Sequence, residues 1–245
     1  MSIKNSGFSI ALLLVVAASC GGGFKYTIRD ALIADVPIAE KQALLNVKDE
    51  QAQLKHLRDK AQSELNIAKR DLDVARAEYR IAKNGVDKVQ ADVNLANSTT
   101  DANRIDRAKL RLTVAQLARG TAETKVSWRD LRVAYAKQQL RVNSAEQRLA
   151  AARYEQEKAR LASTKGKTPY QNFSVVQFDA QVSEAQAQLD KERVQDDTLR
   201  QQVVGLESRY QIQKQALDAA QSGAPPQAVP PAPPLSSKSE LTPAR

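Results

Sequence analysis

The feature that most constrains the fold is a heptad pattern that runs without a break from Leu44 to Ala96. A repeat kept for this long is typical of a coiled coil rather than of a short globular helix. With Leu44 at position a, the a residues are Leu44, Gln51, Arg58, Leu65, Leu72, Tyr79, Val86 and Val93. The d residues are Val47, Leu54, Ala61, Ala68, Ala75, Ala82, Val89 and Ala96.

Composition narrows the fold class to one built from helices. Aromatic residues make up 4% of the 245-residue chain, which has nine glycines. Such a chain can bury an alanine-rich interface between helices, but it cannot fill a thick globular core. Apart from Pro37 and Pro169, every proline lies beyond residue 224, so the middle of the chain is free to be helical.

Breaks in the pattern predict three helices and two turns. Asp35 is a suitable N-cap, and Pro37 fits the first turn of the first helix. Thr100 or Asp101 is expected to cap the second helix, and Gly166 to end it. The predicted helices span about 35–97, 102–163 and 174–221.

The sequence therefore predicts an all-α fold of long antiparallel coiled-coil helices over 35–222, as a three-helix bundle or an extended hairpin. Because the heptad count carries straight through residues 97–101, one continuous helix with a polar interruption is the alternative at that point. Pro-rich residues 223–245 are expected to form an extended or disordered tail, either a free end or a spacer or groove ligand.

Second apolar rows indicate helices with neighbours on two sides. In the second helix this row falls at f: Leu112, Val126, Val133, Leu140, Tyr154 and Leu161. In the first helix it falls at c: Ile67, Val74, Ile81 and Leu95. A layer of helices, a three-helix bundle or an oligomer would each cover two faces.

Charge is sorted on the two sides of the first heptad seam. The e row includes Lys48, Lys55, Lys69, Arg76 and Lys83, and the g row includes Glu50, Glu64, Asp71, Glu78 and Asp92. In an antiparallel hairpin built on the a and d residues of both helices, e would face e. That pairing would place Lys69 near Arg132 and Arg76 near Lys125, which are like charges.

A parallel second copy would instead match acidic g residues with basic e residues, so the Leu44–Ala96 seam is also a candidate surface for self-association.

In the third helix, Glu192 and Asp196 interrupt the apolar seam. They are either solvated or a register-setting layer against Arg or Lys of another helix.

The N-terminus carries a targeting pattern. Lys4 is followed by an apolar run over residues 8–16, which is shorter than the ~20 residues of a transmembrane helix. Ala17-Ala18-Ser19-Cys20 then resembles the lipobox of bacterial lipoproteins. The resemblance implies a signal peptide over 1–19, acylation of Cys20 and a lipidated connector over 20–34.

The alternative is an ordinary signal peptide with an incidental cysteine. Cys20 is the only cysteine of the chain, so it cannot form an internal disulfide. Gly21 stands where some lipoproteins carry an aspartate that retains them at the inner membrane. The resemblance therefore implies a lipid-anchored protein on the periplasmic face of the bacterial outer membrane.

Two further resemblances concern the helical body. Residues 150–215 resemble the helix-break-helix segment of TolC-type efflux proteins, through Gly166-Lys167-Thr168 at the break and Ala180-Gln181 after it. Braun-type structural lipoproteins share the acylated cysteine and the heptads. They end in a lysine joined to peptidoglycan, whereas this chain ends in Arg245.

Residue types that carry catalysis or hold metals are scarce. One histidine, His56 at a solvent-facing f position, and one cysteine cannot assemble the usual metal-ligand sets. No Gly-rich phosphate loop or nucleophile elbow occurs, and Trp128 falls on the seam. We predict no enzyme activity, no metal and no cofactor.

The net charge is +9, with a pI near 9.6. Removal of residues 1–19, whose only charged residue is Lys4, would lower it to +8. An exported chain does not meet nucleic acid, so acidic lipids, lipopolysaccharide or wall polymers are the expected polyanions.

The predicted function is that of an acyl-anchored coiled-coil scaffold, spacer or tether. It would bind the membrane through Cys20, and it would bind a protein partner or a second copy of itself through its helix seams. An auxiliary subunit of a TolC-like assembly is the alternative.

Overall fold

Three long helices make up the protein in a computed structural model that describes residues 24–169 and 173–222. The helices are α1 (Gln42–Asn97), α2 (Ala102–Thr164) and α3 (Val175–Ser222). Two 3-10 helices, Asp30–Ile33 and Ile38–Lys41, precede α1, and the described residues form no strand. At ~1.5 Å per residue, α1, α2 and α3 are about 84, 94 and 72 Å long.

The predicted all-α fold is confirmed. The predicted Pro-rich tail, 223–245, lies outside the residues that the structure describes, as do the predicted signal peptide and Cys20.

α2 packs against both other helices and uses a different face for each. Its f row meets the a residues of α1, since Val133 forms one buried cluster with Leu65 and Leu72. Its a/d seam meets α3, where Leu149 packs with Leu189 in another cluster. The prediction of a two-faced second helix is therefore confirmed, and its neighbours belong to the same chain.

The Leu44–Ala96 seam is an intramolecular surface. Every buried residue of α1 is an a or d residue of this seam: Leu44, Ala61, Leu65, Leu72, Ala75, Val93 and Ala96. The c row remains uncovered, with Ile67, Val74, Ile81 and Leu95 between 51% and 72% exposed. The seam that was a candidate surface for self-association is therefore covered by α2 of the same chain.

The turn between α1 and α2 reverses the chain. The Asp101 side chain accepts hydrogen bonds from the backbone N–H groups of Asn103 and Arg104, at 3.0 and 3.2 Å. The Thr99 hydroxyl donates to the Ala96 carbonyl oxygen and closes the end of α1. Asp101 is thus the N-cap of α2, and the alternative of one continuous helix is wrong.

Gly166 ends α2 as predicted. Its φ of 64° lies in the left-handed region, where a side chain is disfavoured. The Gly166 N–H donates to the Ser163 carbonyl at 3.0 Å, and the Lys167 N–H donates to that of Ala162 at 2.9 Å. This pair of bonds is the usual glycine-ended helix terminus.

α1 begins at Gln42 rather than near Asp35. The Asp35 carboxylate does not cap a helix; it accepts a hydrogen bond from Lys167 Nζ at 2.6 Å. Val36 is buried in one cluster with Leu44, against the Leu161 side chain of α2. Burial of Val36 bends the chain over α2 and delays the start of the continuous helix.

The expected clashes between like charges do not occur. Lys125 pairs with Glu78, and Arg76 lies 3.8 Å from Asp130. The expectation assumed that α2 presents its a/d seam to α1. Because α2 presents its f row instead, its e row is turned toward the acidic g row of α1, and opposite charges meet.

A polar layer joins α2 to α3 halfway along. Gln138, which is 3% exposed, donates to the Glu192 carboxylate at 2.7 Å, and the Gln139 amide donates to Asp196. The predicted interhelical layer therefore exists, but its partners are amides of glutamine rather than Arg or Lys. Burial raises the pKa of Asp196 above its usual range, against the opposing hydrogen bond from Gln139.

Replacement of a seam residue should cost far more stability than replacement of its neighbour on the uncovered row. For Leu72→Ala we expect a loss of about 2–4 kcal/mol in the free energy of unfolding, since Leu72 is 6% exposed. For the control Val74→Ala, at 58% exposed, the loss should stay below ~0.5 kcal/mol. Urea denaturation measures both, and equal losses would contradict the packing described.

Asp196→Asn should stabilise the protein at neutral pH. Folding raises the pKa of the Asp196 carboxyl, so the folded protein loses stability as the pH rises through that folded-state pKa. The asparagine amide cannot ionise, and its oxygen can still accept the hydrogen bond from Gln139. We expect Tm to rise by about 2 °C at pH 7 and the gain to vanish below pH ~4. Asp190→Asn, on the exposed side of α3, is the control, and a gain that is independent of pH would refute the explanation.

Candidate functional site: the connector beside Cys20

The one site residue predicted from the sequence, Cys20, lies outside the described residues. The first described residue, Phe24, follows it by four positions. Since an extended chain spans at most ~3.6 Å per residue, the Cα atoms of Cys20 and Phe24 are within about 14 Å of each other. The site that the structure describes is therefore the segment that any anchor at Cys20 would pull on, residues 24–36, called the connector below.

The connector is pinned along the groove between α2 and α3. The Tyr26 N–H donates to Gln181 Oε1 at 2.8 Å, and Gln181 Nε2 donates back to the Tyr26 carbonyl at 3.2 Å. Two residues later, the Ile28 N–H donates to Glu155 Oε2 at 2.7 Å. Side chains of both helices thus satisfy backbone groups that would otherwise be buried without partners.

Lys158 is the electrostatic centre of the connector contact. Its side chain is 5% exposed, and its Nζ lies 2.8 Å from both Asp30 and Glu155. Burial by itself would lower the pKa of Lys158, but its hydrogen bonds to Asp30 and Glu155 outweigh burial and raise that pKa above the usual range. Lys158 is therefore charged at every physiological pH, and the contact is an ion-paired one.

Apolar contacts support the same segment. Ile28 and Phe178, at 2% and 0% exposed, form a buried cluster with Ala159. The Phe178 ring lies between those of Tyr26 and Phe173, with centroids 6.1 and 6.2 Å away. Aromatic residues are rare in this chain, and three of them meet at the connector contact.

Two lysines after α2 hold the far end of the connector. Lys167 Nζ donates to the Leu32 carbonyl at 2.9 Å and to Asp35, and this hydrogen bond lowers the pKa of the Asp35 carboxyl. Lys165 lies 2.9 Å from Glu40, which is in the 3-10 helix that precedes α1. The segment from Phe24 to Glu40 is thus fixed to α2 and its C-terminal turn.

Sequence reasoning treated this segment only as a linker and did not identify Glu155, Lys158 or Gln181. A signal existed in the alternation of Phe24, Tyr26 and Ile28, which is the pattern of an extended segment with one buried face. No comparable signal marks Lys158, because a lysine at a c position is ordinarily solvated.

The structure also places the other residues that the sequence analysis singled out. Over residues 24–169 and 173–222 no group of three or more His, Cys, Asp or Glu is placed to hold a metal ion. His56 is exposed, as the f position predicts. Trp128 is 5% exposed and stacks on Tyr210 with centroids 5.3 Å apart, which agrees with the predicted packing role.

In the part of the chain that the structure describes, no helix combines the length and apolar character that crossing a bilayer requires.

Comparison with known proteins adds no relative. No protein-family model matches the chain, and no curated protein matches its sequence.

Glu155→Ala should loosen the connector without unfolding the bundle. The change removes the acceptor of the Ile28 N–H and one of the two carboxylates on Lys158. Loss of these bonds is worth about 1–2 kcal/mol of local opening, or a 5- to 30-fold gain in accessibility. Limited trypsin digestion should then cleave after Lys25 and Arg29 faster by that factor.

The matched control is Glu146→Ala. Glu146 also pairs with a basic residue, Arg193 at 2.9 Å, but it does not contact the connector. If both variants accelerate cleavage at Arg29 equally, the connector is not held by Glu155.

Proposed function

We propose that the protein is a non-catalytic envelope lipoprotein, anchored by an acylated Cys20 on the periplasmic face of the bacterial outer membrane and acting as a helical scaffold or tether. The observation that carries the proposal is the placement of Cys20. This sole thiol ends a short apolar run in a lipobox-like sequence, and Phe24, four residues later, packs against the helical body. An anchor there is coupled mechanically to the bundle.

The geometry of the helices supports a scaffolding role. α2 is about 94 Å long, and it is flanked over much of its length by α1 and α3. Long helices packed along their sides resist bending better than a single helix, and they present extended surfaces. A body of this kind suits spacing or tethering better than it suits enclosing a substrate.

Replacement of the anchor residue tests the proposal. After a high-salt wash, which removes protein held only by surface charge, Cys20→Ser should move from the membrane pellet to the soluble fraction, and it should abolish incorporation of a palmitate analogue. Lys25→Ser, in the same stretch but outside the lipobox, should change neither. If Cys20→Ser still fractionates with the salt-washed outer membrane, the anchor is not at Cys20.

The second candidate, a helical subunit of a TolC-like envelope transport assembly, is favoured by one observation. The c row of α1 presents four large apolar residues at heptad spacing with exposures of 51% or more, which is the pattern of a helix that packs against another helix. In this case the occupant would be a tunnel helix of the assembly.

Fractionation separates the two candidates. Co-purification of the acylated protein with an efflux complex, abolished by Ile81→Glu, would favour the transport subunit. Sedimentation with peptidoglycan, unaffected by Ile81→Glu, would favour the scaffold.

A further inference from the structure

The connector joins the bundle along its flank, not at its end. Phe24 packs against the buried cluster of Ala145, Leu149, Ala152, Ala185 and Leu189. Ala152, the member nearest the end of α2, still precedes Thr164 by twelve residues, or about 18 Å along the helix.

The tether between Cys20 and Phe24 is shorter than this distance. It spans at most ~14 Å, so a lipid-bearing Cys20 cannot extend beyond the end of α2. If the bundle stood upright on this end, the turn after α2 would enter the bilayer. That turn carries Lys165 and Lys167, which makes such insertion costly. The tether therefore favours contact between the membrane and the side of the bundle.

The connector identifies which side this is. It contacts α2 at Glu155 and Lys158, which occupy positions g and c of the helix. Asp130 of α2 also occupies position c, and Arg76 of the α1 e row lies 3.8 Å from it. The e row of α1 and the c and g rows of α2 therefore share one side of the bundle, called the connector face below.

Basic residues dominate the connector face. All five basic e residues of α1 are exposed, and of these Arg76 alone forms an ion pair among the described residues. The c and g rows of α2 add Lys137, Arg141 and Arg148, each exposed and likewise without an ion pair there. Four acidic residues lie on these α2 rows, Asp106, Glu123, Asp130 and Glu155, and two of them are ion-paired, Asp130 with Arg76 and Glu155 with Lys158.

The opposite side carries a balanced charge. There the acidic g row of α1 meets the basic b and e residues of α2: Asp71 lies 2.9 Å from Arg129, and Glu78 pairs with Lys125. On that side, acidic residues of α1 neutralise basic residues of α2. The excess positive charge of the helices α1 and α2 is therefore concentrated on the connector face.

We propose that the connector face lies flat on an anionic lipid bilayer, held jointly by the lipid on Cys20 and by the basic rows of α1 and α2. This inference rests on the proposed acylation of Cys20. The lipid on Cys20 would hold the chain at the bilayer, and a basic surface beside it is attracted to anionic lipid headgroups. Flat docking leaves the apolar c row of α1 on the side turned away from the lipid.

Vesicle binding tests the basic surface without the lipid. Mature chain carrying Cys20→Ser should sediment with vesicles rich in phosphatidylglycerol and not with vesicles of phosphatidylcholine alone. Lys69→Glu, Lys83→Glu and Arg148→Glu together should weaken that binding roughly 100-fold, since each surface basic residue contributes a factor of about 5.

The matched control reverses three exposed basic residues of the opposite side, Arg104→Glu, Arg111→Glu and Arg200→Glu, so both variants have the same net charge. Arg200 belongs to that side because it lies one turn after Asp196, which accepts a hydrogen bond from Gln139 of the α2 e row. The control should bind within about 3-fold of the parent. Equal losses in the two variants would overturn the proposal. The proposal would also be overturned if the parent chain did not sediment with phosphatidylglycerol vesicles, or if it bound only isolated peptidoglycan. None of these results would bear on the acylation of Cys20.

Neutron reflectometry of the acylated protein on a phosphatidylglycerol bilayer tests the orientation. A flat bundle gives a protein layer about 20 Å thick, given a helix diameter of ~10–12 Å and the connector beneath. A layer approaching ~90 Å would mean that the bundle stands upright, and it would overturn the proposal even if Cys20 is acylated.

Discussion

The structure depends on one constraint, which is that α2 must bury two apolar faces at once. Its a/d seam and its f row are separated by roughly 170° around the helix, given ~100° per residue. Two separate antiparallel neighbours are needed to cover them. α1 takes the f row and α3 takes the a/d seam, so the two outer helices lie on nearly opposite sides of α2. The bundle consequently has two broad faces.

The orientation of α2 about its own axis also decides which charged rows of α1 and α2 meet. With its f row toward α1, the basic e residues of α2 meet the acidic g residues of α1, and Arg153 lies 3.7 Å from Glu50. Each such exposed pair is worth ~1 kcal/mol at most, so burial of the apolar rows selects the arrangement and the charges agree with it. Of the five basic e residues of α1, four have no ion pair among the described residues and lie exposed on the connector face. The same orientation therefore links the core to the surface proposed to meet the membrane.

Helices and turns could be predicted because each has a local cause. Asp101 caps α2 through its own side chain, and Gly166 alone can take the positive φ at the end of α2. Both effects act over a few residues, and the sequence displays them directly. The heptad register likewise predicted which residues of α1 are buried, because helical periodicity does not depend on the partner.

Long-range choices could not be predicted in the same way. α2 has two apolar rows of similar character, and its sequence does not show which of them faces α1. The expected clash of like charges between α1 and α2 was wrong for that reason. The connector contact joins residues more than a hundred positions apart, such as Tyr26 with Gln181. Nothing local to Gln181 or Lys158 indicates that a distant backbone segment will lie over them. Cys20, the candidate anchor, was accessible only through its sequence context.

Disulfide cross-linking tests the two-faced packing of α2 most directly. In the Cys20→Ser background, Leu149→Cys is combined with either Ala185→Cys or Leu54→Cys. Leu54 and Leu149 are at the same height, each one turn from the Glu50–Arg153 ion pair, but Leu149 faces α3. The structure predicts that Leu149→Cys cross-links to Ala185→Cys within one chain and not to Leu54→Cys. Preferential cross-linking to Leu54→Cys would contradict it.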